Sequence, residues 1–400
     1  MKNKVSRYGL PLKVEFCSKC VMSNQKPNSS IEFTSSNPKN KIGINIEKKI
    51  CDACKYNEIK KSIDWEKREK ELIKLLDKHK KSSNAYDVVV PGSGGKDSAY
   101  TAHILKYKYG MNPLTVTWAP HLFTDIGFKN FNNWMRIGGL DNLLFTPNGL
   151  LHKRLTSLAF KNLLHPFQPF IIGQKLIAPK IAEKFNIPLI MYGENQAEYG
   201  NKISENYVPK MDESFFSIKK KKDIFLGGVS LDKLLKKEKF KLSEFDSYIP
   251  FGTDILKQKK IEFHYLGYYL KWDPQECYYY AYENTGFSPN IERTQGSYSK
   301  YSSIDDKIDY FHYYTTLIKF GIGRATYDAS QEIRNNKITR DEGIALVDRF
   351  DQEFPDKYFR EFLDYIDFTE SNFWRTIEKF RPEHLWKKEK NLYKLRKKIQ

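Results

Sequence analysis

No stretch of the sequence approaches the ~18 consecutive apolar residues that a membrane-spanning helix requires. The first residues, Met1–Lys13, lack the apolar run of a signal peptide. Cysteine is scarce. Only five occur in 400 residues, and four of them form two C-x-x-C pairs. That usage points to metal ligation rather than disulfides in a cytosolic chain. Acidic residues are short as well, 49 Asp and Glu against 67 Lys and Arg, for a net charge of +18. No internal repeat and no long low-complexity tract is present. A soluble, cytoplasmic protein without a membrane span is the expectation.

What is present is core-forming material. Hydrophobic residues make up 40% and aromatics 15%, with 26 Tyr and 27 Phe, which excludes disorder over long stretches. The length corresponds to two or three domains. The basic surplus lies in scattered clusters, Lys219–Lys222, Lys236–Lys241, Lys257–Lys260 and the tail Lys387–Lys398. It suits a polyanionic partner or anionic nucleotide substrates, or else a solvated lysine surface.

Residues 1–58 hold the four paired cysteines among Asn, Ser and Lys, with turn signals at Lys26-Pro27-Asn28 and Asn37-Pro38. So small a module needs a staple. Residues 59–82 read as a charged connecting helix with Leu72, Leu75 and Leu76 on one face. A βα series fills residues 83–272. Strands are expected at Tyr86–Val90, Pro113–Trp118, Leu140–Phe145, Ile187–Tyr192 and Ile261–Tyr269. Helices are expected at Ser98–Lys108, Gly127–Gly138, Leu150–Leu164 and Phe170–Phe185. That alternation predicts an α/β fold with a parallel sheet flanked by helices. The Lys-rich stretch 201–258 breaks the rhythm and reads as an insertion or lid. Residues 273–400 read as mainly helical, with segments at Asp305–Phe320, Asp341–Phe350 and Phe373–Phe380 and a basic, helical end at Trp386–Gln400.

The chemistry concentrates in Pro91-Gly92-Ser93-Gly94-Gly95-Lys96-Asp97-Ser98, between a strand and a helix. Glycines let backbone N–H groups turn onto an anion, and the helix N-terminus adds a favourable dipole. Ser93 and Ser98 offer hydroxyl donors. Lys96 is a phosphate counter-charge if it turns inward. Asp97 would repel a bare phosphate, so a bridging Mg²⁺ is implied. The pattern is not a Walker loop, because Asp97 stands where Ser or Thr is needed.

Ser93-Gly94-Gly95-Lys96-Asp97-Ser98 resembles the S-G-G-x-D-S signature of the PP-loop ATP pyrophosphatases. The resemblance implies their five-stranded parallel sheet (the adenine nucleotide alpha hydrolase-like fold) and cleavage of ATP to AMP and pyrophosphate through an adenylated substrate. By similarity, Ser93, Gly94, Gly95, Lys96, Asp97 and Ser98 hold the pyrophosphate part, with Asp97 on Mg²⁺. Thr117 and Trp118 border adenine and ribose. Gly193 opens a second loop, Gly193-Glu194-Asn195-Gln196-Ala197-Glu198, after the fourth strand. Glu194 and Glu198 both qualify there as metal-binding catalytic acids.

The pairs Cys17–Cys20 and Cys51–Cys54 supply four thiolates, which suits a closed structural Zn²⁺ site. An iron–sulfur cluster or free thiols are the alternatives. Cys277 sits among Tyr278–Tyr280 and reads as core.

Over most of its length the chain resembles the bacterial N-acetyl sugar amidotransferases of lipopolysaccharide and pseudaminic-acid pathways. The resemblance runs through Cys17-Ser-Lys-Cys20, His165-Pro-Phe-Gln-Pro-Phe170, Gly173-Gln-Lys175, His264-Tyr-Leu-Gly-Tyr-Tyr-Leu-Lys271, Tyr301-Ser-Ser-Ile-Asp-Asp-Lys307 and Lys319-Phe-Gly-Ile-Gly-Arg-Ala325. It implies ATP-dependent conversion of an acetamido to an acetamidino group on an acidic or nucleotide-linked sugar, for surface polysaccharide or flagellin glycans. It also implies ammonia delivered by a separate glutaminase with a cyclase-like companion. Arg324, His264 and Lys271 are the substrate-binding candidates. Two other classes stay open: a PP-loop tRNA-thiolating enzyme, for which no free cysteine but Cys277 remains, and a zinc-containing nucleic-acid-binding module that uses ATP only as a ligand.

Overall fold

The computed structural model describes residues 6–37, 39, 41–80, 85–390 and 392–400. Met1–Val5, Pro38 of the second turn signal, the end of the expected 59–82 helix and its boundary with the α/β domain at 83 lie outside these residues.

The centre is a five-stranded sheet, β1 (Val88–Pro91), β2 (Pro113–Trp118), β3 (Asp141–Phe145), β4 (Leu189–Tyr192) and β5 (Glu262–Tyr265). All pairings are parallel, in the order β5-β4-β1-β2-β3. Val89 pairs with both Leu114 and Ile190 and so marks the middle. The strands are nearly continuous apolar runs because both faces are covered. Val89, Leu114, Val116, Ile190 and Phe263 bury against α5 (Gly149–Leu163) and α6 (Gln168–Lys184). Val88, Val90, Leu189 and Met191 face the other way, onto α3 (Lys96–Tyr107) and its neighbours. The strand order reverses between β1 and β4, and ligands bind at the carboxyl ends of the strands flanking such a point.

The N-terminal helix is two helices, α1 (Asp52–Lys61) and α2 (Trp65–His79). Asp64 separates them by accepting the Lys67 N–H at 2.9 Å as an N-cap. Residues 201–258 form short helices and two-residue strands. Phe216, Ile224, Leu226, Leu231, Leu234, Phe245 and Tyr248 from this stretch enter the main core, and Phe216 stacks on Phe263 of β5 at 3.8 Å. Its lysine clusters at 219–222, 236–237 and 257–260 are exposed.

The helical C-terminal region comprises α7 (Pro274–Thr285), α8 (Asp309–Phe320), α9 (Arg324–Arg334), α10 (Arg340–Phe350), α11 (Phe359–Ile366) and α12 (Glu370–Phe380), after α4 (Asp125–Arg136) in the sheet domain. The expected helix at the end is instead an antiparallel hairpin, β6 (Trp386–Glu389) with β7 (Leu392–Leu395). Lys390, at φ +54°, turns the chain. Trp386 anchors the hairpin by donating its indole N–H to the Ile318 carbonyl at 2.9 Å. A buried aromatic at one end of alternating side chains wins over the helix propensity of the lysines. Among the described residues no helix is long and apolar enough to cross a membrane.

Candidate functional site

The loop Gly92–Gly95 leaves β1 and enters α3, which begins at Lys96. Two glycines are there for steric reasons. A Cβ on Gly92 would meet the Ser98 Cβ at 2.2 Å. Gly94 has φ +82°, and its Cβ would lie 2.8 Å from the Phe131 Cα and 2.9 Å from the Asn130 carbonyl oxygen, both backbone atoms. Gly94→Ala is expected to lose about 1–3 kcal/mol of stability and to weaken ATP at least about tenfold by displacing the loop amides. Gly149→Ala is the control, since nothing lies within 4 Å of its Cβ. Denaturant unfolding and equilibrium ATP binding of the two variants check this. Equal behaviour would remove the loop from the site.

The Ser98 hydroxyl donates to the Gly95 carbonyl at 3.0 Å and closes the first turn of α3. Ser93 donates to the Asp305 carboxylate at 2.8 Å. The loop is therefore held by the C-terminal region. Asp305 was not among the residues anticipated; only its place in the Tyr301–Lys307 segment hinted at it. Burial raises its pKa.

A cavity of about 500 Å³ opens at the carboxyl ends of β1, β4 and β5. Its walls include Ser93, Gly95, Asp97, Ser98, Gly193 and Glu194. The loop after β4 thus meets the loop after β1. Gly193 has to be small, because a Cβ there would meet the Trp272 ring at 2.7 Å. A smaller cavity of about 100 Å³ adjoins, lined by Lys96, Asp97, Glu194, Tyr199 and Arg324 among others.

Glu194 and Glu198 are placed differently by the fold. Glu194 lines both cavities and accepts from the Tyr199 hydroxyl. Burial, with Asp97's negative charge nearby, raises its pKa to about 7. Glu198 lines neither cavity. It forms a buried ion pair with Lys60 of α1 at 2.7 Å, and its carbonyl accepts from Arg334 at 3.1 Å. Glu198 thus ties the loop after β4 to α1.

Lys96 is not among the residues lining the larger cavity; it lines the smaller one. Its ammonium contacts the adjacent Asp97 carboxylate at 2.6 and 2.8 Å. Burial pulls its pKa down, but Asp97 and Glu194 outweigh that and raise it. The cation facing the large cavity is Lys175 of α6, which lies 4.6 Å from the Tyr192 ring centroid and which burial pulls down to about 8. Lys175 and Gln174, which also lines the cavity, belong to the Gly173-Gln-Lys175 segment. Gly173 lets α6 pass over Trp118, whose ring a Cβ would meet at 2.3 Å.

Thr117 and Trp118 need correction as adenosine-bordering side chains. Thr117 is buried and accepts from Asn142 at 2.9 Å. Trp118 is buried and stacked on Phe145, ring centroids 5.1 Å apart. Neither residue is among those lining the cavity. His264 also turns away from the cavity, because β-strand side chains alternate and Tyr265 takes the cavity face. His264 is buried beside the Tyr269 hydroxyl at 2.8 Å and Glu262 at 3.2 Å, and burial lowers its pKa to about 4. Lys271 is exposed and lines neither cavity. Arg324 does approach the loop, holding Asp328 at 3.1 Å and the Tyr313 hydroxyl. Cys277 is buried in the core between α3 and α7.

The four paired cysteines converge. Their sulfurs all lie within 4.8 Å of one another, with Cys17–Cys54 at 3.8 Å and Cys20–Cys51 at 3.7 Å. A tetrahedral metal with sulfurs at ~2.3 Å sets the sulfurs about 3.8 Å apart, so the donors fit a closed four-thiolate ion. The cluster packs on Ile322, Tyr327 and Ile333 of the C-terminal region.

No curated protein sequence matches the chain. A solved structure described as a predicted subunit of tRNA methyltransferase from Methanocaldococcus jannaschii is similar at 17% identity, over 56% of this chain and 84% of that one, with a TM-score of 0.26. Residues 295–400 match the family model of the LPS biosynthesis protein WbpG-like C-terminal domain. With Asp305 of that region accepting from Ser93 in the loop after β1, the chain joins an α/β domain built on a five-stranded parallel sheet to a region similar to the C-terminal domain of the WbpG-like LPS biosynthesis proteins.

Proposed function

We propose that the chain is an ATP-dependent, AMP-forming amidotransferase. It converts the acetamido group of an N-acetyl sugar to an acetamidino group in the cytoplasm, for a surface polysaccharide or flagellin glycan. The observation that carries this is the convergence of Gly92, Ser93, Gly95, Asp97, Glu194 and Lys175 on one cavity at the switch point of the sheet. An amide oxygen is a poor leaving group. Its attack on the α-phosphorus of ATP expels pyrophosphate and leaves an O-adenylyl imidate. Ammonia then adds to the imidate carbon, AMP departs and a proton is lost. Backbone N–H groups of the loop around Gly95 would bind the outer phosphates, and Lys175 would offset their charge. Asp97 and Glu194 are the residues that would hold Mg²⁺, which supplies neutralisation of the phosphate charge when bound. The four thiolates would hold a structural Zn²⁺. Cys277, the one cysteine outside the two pairs, is buried. Ammonia is therefore assigned to a separate glutaminase with a cyclase-like companion.

The test supplies purified protein with ATP, Mg²⁺, ammonium and N-acetylated sugars, and follows AMP, pyrophosphate and the amidino product by mass spectrometry. Coupled formation of all three is expected. AMP release that requires tRNA and a sulfur donor, and ignores sugar and ammonium, would replace this reading with tRNA thiolation.

A further inference from the structure

We infer that a second cavity beside the nucleotide site is an anion-binding subsite, in which Lys26, Lys41 and Lys319 hold a carboxylate or phosphate of the acceptor sugar. The inference deepens the amidotransferase reading and rests on it for the identity of the sugar.

This cavity has a volume of about 340 Å³. Distant parts of the chain build it, among them residues 26–37 and Lys41 of the cysteine module, His165 after α5, Tyr199 after β4, the His312–Lys319 face of α8 and Tyr327 of α9. Ser29, Ser30, Glu32, Ile171 and Tyr199 line both it and the nucleotide cavity, so one ligand can extend across the two. Three ammonium groups face it against a single carboxylate, Glu32. Glu32 is already engaged, accepting from Ser30 at 3.0 Å and lying 3.6 Å from His165.

Lys26 and Lys319 are 4% and 6% exposed, yet both hydrogen-bond to neutral oxygens. Lys26 donates to the Pro27 carbonyl and Lys319 to the Leu163 carbonyl, each at 3.3 Å. Lys41 donates to the Ser30 hydroxyl at 2.7 Å. Among the described residues His312 Nδ1 has no hydrogen-bond partner. Glu32's charge reaches Lys41 and Lys319, and Cys51 of the cysteine cluster reaches Lys26, but three lysines share one carboxylate in this cavity, and such a surplus of buried positive charge is unfavourable unless it pairs with something. Burial here pulls Lys319 to about 7 and Lys26 to about 8, and an anion between them would restore their charge. A carboxylate of a sugar acid and the diphosphate of a nucleotide sugar both meet that requirement. A neutral sugar meets none of it.

The test is calorimetric titration of the full chain with Mg²⁺ and α,β-methylene-ATP present. The three probes are N-acetylneuraminate, UDP-N-acetylglucosamine and neutral N-acetylglucosamine. At least one anionic probe should bind more tightly than the neutral sugar, and which one identifies the anion's source. Lys319→Met should weaken that probe at least about tenfold while leaving the affinity for the ATP analogue within about twofold. Lys41→Gln, at a less buried position, should act in the same direction and keeps the test open if Lys319→Met misfolds. Anionic probes that bind no better than the neutral sugar would overturn the subsite. So would unchanged binding in folded variants. If the wild-type chain fails to bind the ATP analogue, the nucleotide reading falls instead, and the probe arms are read without the analogue.

Discussion

Asp97→Asn is expected to lower ATP-dependent pyrophosphate release by about 10³-fold, the scale of losing one preorganised charge contact to the transferring group, with little change in thermal midpoint. The fold should survive because the loop does not depend on this carboxylate. Its shape is set by Gly94, by the bond from Ser93 to Asp305 and by Ser98 on the Gly95 carbonyl. The ion pair between Asp97 and Lys96 is partly solvated, with Asp97's side chain 35% exposed, and such pairs contribute little to stability. Asparagine keeps the shape and removes the charge proposed to hold Mg²⁺. Normal pyrophosphate release by the variant would rule out Asp97's role. The same substitution has a pH signature. Glu194 is held near 7 by burial and by Asp97. Its carboxyl is protonated below that value and cannot bind a cation. Turnover at limiting Mg²⁺ should therefore fall as pH drops through about 7. Removing Asp97 removes a like charge, so the acid limb of the residual activity should move to lower pH. In Glu194→Gln that limb should vanish.

The parallel sheet was legible because each strand is a short apolar run bounded by turn residues. Pro113–Trp118 matches the expected bounds. The loop was legible because its glycines serve a local geometric need. What stayed hidden depends on contacts between distant parts of the chain. Glu194 and Glu198 look alike in sequence. They diverge because Lys60, 138 positions away, captures one of them. Thr117 and Trp118 end the second strand as expected, but Asn142 and Phe145 of the neighbouring strand hold their side chains inside. His264 and Tyr265 are adjacent, and only the pleat decides which of them sees the cavity. Lys175 and Lys319 differ from surface lysines solely in what the fold packs around them. The chain end read as helical because its lysines suit a helix, and the indole of Trp386 overruled them.

The largest effect on stability is expected at the cysteine cluster. Cys51→Ser should abolish metal binding and lower the thermal midpoint by on the order of 10 °C. Four thiols crowded within 4.8 Å have little else to recommend the arrangement, and a four-thiolate metal site contributes folding energy directly. The effect should reach the nucleotide cavity. Helix α1 carries Cys54 at one end and Lys60 at the other. Lys60 pairs with Glu198 and also donates to the Trp272 carbonyl at 2.9 Å. Trp272 in turn packs on Gly193. Losing the metal therefore loosens the brace behind the loop that presents Glu194, and ATP affinity should fall together with stability. Lys60→Met separates the two effects. It should retain the metal and weaken ATP, because it cuts the brace and spares the thiolates. Metal analysis of the wild-type chain should find one zinc per chain; visible absorbance with iron would assign a cluster instead. A Cys51→Ser protein that unfolds at the wild-type temperature would show that the thiols hold nothing the fold requires.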